Sequence, residues 1–149
     1  MLRHMRSRAQ DEQGFTLIEL LVVILIIGIL AAIALPAFIG QRLKAQDSTA
    51  KAAARNLVSH ISACYEEVNG YTGCTALLTP AETGLPVGTG VGKVRITSES
   101  TVGYTIVATS RAVTAGANHT FSIAYDQASA TTHDCTVRDA GGCPLDGDW

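Results

Sequence analysis

Hydrophobic and polar positions divide the chain into three stretches. Residues 1–13 are polar and carry Arg3, Arg6 and Arg8. From Leu17 to Ile39 the run is apolar and holds one ionised side chain, Glu19. At 1.5 Å per residue this run makes about 35 Å of helix, enough to cross a hydrocarbon core of about 30 Å with some tilt. After Gly40 the apolar positions thin into a repeat, with Ala50, Ala54, Leu57, Ile61, Cys64 and Val68 at spacings of three and four. That period predicts one face of a helix. Arg42, Lys44, Asp47, Lys51, Arg55 and Glu66 are expected on its other faces. Phe15 to about Asn69 therefore reads as one helix, and Asn69-Gly70 is a fitting stop. Pro36 removes one hydrogen bond inside it and predicts a kink.

Beyond Gly70 the helical period disappears. Tyr71 to Gly92 is rich in Gly, Pro and Thr and reads as a loop with a short helix around Thr79–Thr83. Strands are expected at Lys93–Ser98, Val102–Ser110 and His119–Asp126, with a short fourth at Cys135–Arg138. The second and third are β-rich and alternate apolar with polar residues, and Ala115-Gly116-Ala117-Asn118 carries the turn between them. The predicted fold is α+β: a long N-terminal α-helix packed on a small antiparallel β-sheet of three or four strands. One sheet face would rest on Leu57, Ile61 and Val68.

Composition sharpens this picture at two points. The chain has 149 residues, room for one domain, and a 47% hydrophobic fraction concentrated in the first helix. Net charge is −2, so no basic surface points to nucleic acid. Four cysteines fall as Cys64 with Cys74 and Cys135 with Cys143, neither pair at zinc-site or thioredoxin-like spacing. Beside an export-type segment, an even count favours disulfides. Of three connectivities the two local ones are favoured, each closing a short loop and stabilising by roughly 2.5 kcal/mol on the chain-entropy model.

Other signals fall away. Gly88-Thr89-Gly90-Val91-Gly92-Lys93 fails the phosphate-loop pattern, which needs glycine at Val87 and Ser or Thr at Val94. His60, His119 and His133 lack ligand spacing, and Asp134, Asp139, Asp146 and Asp148 form no EF-hand loop; no metal and no cofactor are expected. Asn118-His119-Thr120 is a glycosylation sequon of a kind common by chance. No Ser–His–Asp or Cys–His arrangement is legible, and no enzyme is expected.

The N-terminal stretch has competing readings. A secretory signal peptide would use Ala32-Ile33-Ala34 as its cleavage site, and a single-pass anchor would keep the whole run. Neither accounts for Glu19, because a carboxylate within a membrane helix costs a few kcal/mol at the centre and less near the interface. Cleavage just before Phe15 would free an α-amine near the head of the same helix, and Glu19 of one subunit could face the amine of its neighbour.

Gly14-Phe15-Thr16-Leu17-Ile18-Glu19-Leu20-Leu21-Val22-Val23 resembles the prepilin cleavage and methylation motif of type IV pilins and type II secretion pseudopilins. The resemblance implies that a prepilin peptidase removes a leader, 1–14, by cutting between Gly14 and Phe15, and N-methylates Phe15. Glu19 would serve in methylation and in subunit register. Residues 15–40 would form the transmembrane and filament-core helix, and 41–149 the periplasmic or extracellular head. Gly28 and Pro36 match the limits of a segment that unwinds in pilin filaments, and the Cys135–Cys143 loop resembles the disulfide-bounded region near the C-terminus of many pilins. The implied function is that of a structural subunit of a pilus. It would lie in the cytoplasmic membrane, head outside, before joining an extracellular helical homopolymer through an assembly platform and its ATPase. The alternatives are a pseudopilin of a secretion or DNA-uptake machine and, from another class, a secreted or membrane-tethered binding module.

Overall fold

The computed structural model describes residues 14–149; the leader expected over 1–14 lies, apart from Gly14, outside the described residues. Helix α1 runs Leu17–Val68, α2 Cys74–Leu77 and α3 Pro80–Thr83. Strands follow as β1 Val94–Glu99, β2 Gly103–Thr114, β3 Ala117–Asp126 and β4 Ser129–Cys135. The chain divides into two compact units, one ending at Ala37 and the other spanning Phe38–Trp149.

In the first unit the large apolar side chains from Leu17 onward are all exposed, Leu17 by 80% and Ile33 by 73%. A helix clad in leucine, isoleucine and valine that stay exposed among the described residues needs an apolar surrounding. α1 is helical through both Gly28 and Pro36. A side chain at Gly28 would meet nothing within 4 Å.

The second unit is the head. Its four strands form an antiparallel meander in the order β1-β2-β3-β4. Alternation sends Tyr104, Ile106 and Ala108 of β2 inward, opposite Tyr125, Ile123 and Phe121 of β3. They bury against Ala50, Ala54, Leu57, Ile61 and Cys64 of α1, so the core is one helix face on one sheet face. At about 25 cal/mol per Å² of apolar surface, a contact of this kind carries most of a small head's stability. At one end of this core Tyr71 packs on Tyr65, Tyr104 and Tyr125, with ring centroids 4.7, 5.0 and 5.9 Å away.

The α+β arrangement, a long helix on a four-stranded antiparallel sheet, is the one predicted from the sequence. Four details differ. Val68 is 44% exposed and lies outside the core, because α1 ends there with Asn69 in the left-handed region at φ 54. An unforeseen turn of helix, α2, follows Cys74. β2 and β3 extend to a two-residue turn, Ala115-Gly116, with both residues at positive φ, the geometry that matches hairpin twist. The last strand is Ser129–Cys135 rather than Cys135–Arg138. Val137 and Asp139 sit at φ 61 and 58, which an extended strand cannot contain.

Candidate functional site

Three places hold arrangements beyond simple packing. The first is the start of α1. The Thr16 amide N–H donates to Glu19 Oε2 at 2.9 Å and the Thr16 hydroxyl donates to the same oxygen at 2.7 Å. The Glu19 N–H donates back to Thr16 Oγ1 at 3.3 Å. This is a reciprocal capping box, which satisfies donors that a helix N-terminus otherwise leaves free. Glu19 therefore has a local partner, Thr16, within its own chain. The signal was on the page: Thr16 and Glu19 stand at the T-x-x-E spacing. Phe15 is 89% exposed, and a side chain at Gly14 would meet nothing within 4 Å. No contact within the described chain requires glycine at 14.

The second place is a buried junction in the head. Asp47 and His119 are both fully buried, with His119 Nδ1 2.7 Å from Asp47 Oδ2. Where Oδ2 acts as acceptor, as it does toward Gly142 N–H, Nδ1 carries the proton and donates. His119 Nε2 lies 2.9 Å from Thr114 Oγ1. The same Oδ2 accepts the Gly142 N–H at 2.7 Å, and Lys51 Nζ donates to the Gly142 carbonyl at 2.6 Å. Helix, hairpin and C-terminal loop thus meet on one carboxylate. A Cβ on Gly141, at φ 58, would run into Asp47 Oδ2, and one on Gly142 would lie 3.0 Å from Asp47 Cβ. The glycine pair is what lets the loop approach. Burial, and next the Arg55 charge, push the Lys51 ammonium below its ordinary range, with Asp47 opposing.

Sequence reading placed Asp47 on a polar face and passed over His119. Asp47 precedes Ala50 by three residues and so continues the buried stripe, and His119 alternates inward with Phe121 and Ile123.

The third place is the pair of bonds that hold the head's loops. Cys64 is bonded to Cys74 and Cys135 to Cys143, with Cα–Cα distances of 6.0 and 5.7 Å. The first ties α1 to α2. The second closes the loop that brings Gly141-Gly142 to Asp47. Glu99 adds a clasp across the first: its carboxylate accepts the Gly73 and Thr75 amide N–H groups, each at 2.9 Å, and the Thr75 hydroxyl at 2.8 Å. Burial pushes the Glu99 carboxyl up, but these donors together hold it below the usual glutamate range. Trp149 packs edge-on to Phe121 beneath the Lys51 and Arg55 cations, 5.2 and 5.0 Å from its ring. Among the described residues no group of His, Cys, Asp and Glu side chains is placed to hold a metal.

Comparison with known proteins finds the Prokaryotic N-terminal methylation motif over residues 10–35. A "Fimbrial protein" of Moraxella nonliquefaciens is 57% identical over 51 residues, covering 34% of this chain and 33% of its own. "Type IV major pilin protein PilA" of Myxococcus xanthus is 43% identical over 60 residues, 40% of this chain and 27% of its own. "Type IV major pilin protein PilE1" of Neisseria gonorrhoeae is 48% identical over 54 residues, 36% of this chain and 33% of its own. The chain thus spans about a third of the length of these curated relatives. No solved structure matches it.

Proposed function

From the premise that the N-terminal third of the chain is that of the type IV pilin family, we propose that the protein is a structural subunit of a type IV pilus. A prepilin peptidase cuts between Gly14 and Phe15 and N-methylates Phe15. The apolar half of α1 holds the subunit in the cytoplasmic membrane with its head outside, and an assembly platform with its ATPase draws it into an extracellular homopolymer. The observation that carries this reading is one carboxylate, Glu19, five residues after Gly14 at the head of the exposed apolar half of α1.

The capping box refines how Glu19 works. In the membrane, the Thr16 amide and hydroxyl hold the carboxylate and lower the cost of placing it near hydrocarbon. On assembly, the Phe15 amine of a neighbour adds the opposite charge that neutral donors cannot. α1 is helical at Gly28 and Pro36 in the single chain, and melting of 28–36 in the filament belongs to the same proposal.

Imaging of cells that produce the full chain tests the assignment. Glu19→Leu is expected to cut filament number about tenfold or more, and Thr16→Val, which loses the cap but keeps the charge, to do far less. Full-length filaments at normal number with Glu19→Leu would sink the charge-pairing account.

A further inference from the structure

Resting on the filament reading, we infer that the head carries both halves of a head-to-head joint. A groove in one subunit receives the C-terminal turn around Leu145 of a second copy of this chain.

The groove has a volume of about 470 Å³ and lies between α1 and the β1–β2 edge. Ala53, Leu85, Pro86 and Ala108 give it an apolar floor, and Lys93 and Arg111 stand at its margin. Among the described residues neither cation has a carboxylate within ion-pair distance. Gly92, at φ 74, lets the Arg111 side chain lie against the loop, since a Cβ there would come within 2.6 Å of its Nε.

Leu145 has the complementary character. It is 74% exposed and is followed by Asp146 and Asp148, whose carboxylates make no ion pair among the described residues. Its turn is held by two hydrogen bonds: Gly147 N–H donates to the Pro144 carbonyl at 3.1 Å, and Arg138 donates to the Asp146 carbonyl at 2.7 Å. An apolar knob with acidic flanks thus fits an apolar groove with a basic margin. Preorganisation of both halves keeps the ordering cost of the joint low.

The two halves cannot meet within one head. Thr49 and Ala53 line the groove, whereas Asp47 and Lys51 hold the C-terminal loop. Two residues apart at about 100° each, these pairs face opposite flanks of α1. A joint between different patches is heterologous, and such joints propagate from copy to copy, into an open helical filament where the rotation does not close a ring.

Two experiments on the full chain in cells test this. Arg111→Asp and Asp146→Arg are each expected to lower shear-stable filament roughly tenfold, and the charge-swapped double variant to recover most of it. Separately, the double variant Ala53→Cys/Leu145→Cys should give a ladder of disulfide-linked multimers, while either single variant, with no cysteine opposite it in the joint, gives none. Charge variants at wild-type level, or a double cysteine variant that stops at dimers, would overturn the joint. Failure of the filament reading has a different signature: wild-type cells with methylated Phe15 and no filament.

Discussion

Asp47 is the residue on which the head's construction turns. A buried carboxylate without a partner would cost several kcal/mol. Here it holds His119 and the Gly142 amide, though its Oδ1 has no partner among the described residues. The arrangement is therefore more a specificity device than a source of net stability: it allows one seating of hairpin and C-terminal loop on the helix. Removing one partner leaves the other buried with a single neutral partner, the Gly142 amide for Asp47 or the Thr114 hydroxyl for His119. Asp47→Ala or His119→Ala alone is expected to destabilise the head by about 3–5 kcal/mol, and the double variant by clearly less than the sum. Thermal denaturation of the four proteins followed by circular dichroism measures this, and additive effects would contradict the coupling. Both positions follow the buried periods of their own elements. A pattern that sorts residues into apolar-in and polar-out assigns each to solvent, because the partner that permits burial is 72 residues away.

Elements were legible where the period was long or the stop chemical. The core face of α1, its end at Asn69 and the pairing of β2 with β3 all follow from spacing and turn residues. β4 was misplaced because Ser129-Ala130-Thr131-Thr132-His133-Asp134 lies at the sheet edge, largely exposed, and carries no apolar alternation. Its register comes from the partner strand, Ile123 against His133 and Phe121 against Cys135. α2 was missed because what holds it is tertiary: the Cys64–Cys74 bond and the Glu99 clasp. That clasp makes a pH prediction. The folded Glu99 carboxyl titrates below its unfolded value, so its contribution is complete above the ordinary glutamate pKa of about 4.3. It is lost as pH falls through the lower, folded pKa. Between these two values the midpoint of thermal unfolding should fall more steeply for the wild type than for Glu99→Gln, and identical slopes would contradict the clasp.

At the scale of the whole molecule, the N-terminal third and the head answer to different demands. The stem presents large apolar side chains that are exposed among the described residues, so it calls for an apolar surrounding. The head buries its own core and is covalently stapled, as small domains in an oxidising compartment are by disulfides. The family resemblance was legible wholly in the stem, where the N-terminal methylation motif matches over residues 10–35. The head's contacts were not, since a groove and a knob arise only from folding. The central claim is that cleavage at Gly14/Phe15 turns an anchored precursor into a polymerising subunit. Mass spectrometry of the mature N-terminus, taken from sheared filaments, tests it most directly. The account predicts a chain beginning at Phe15 with a methyl group on its α-amine; a chain beginning at Met1, or after Ala34, would contradict it.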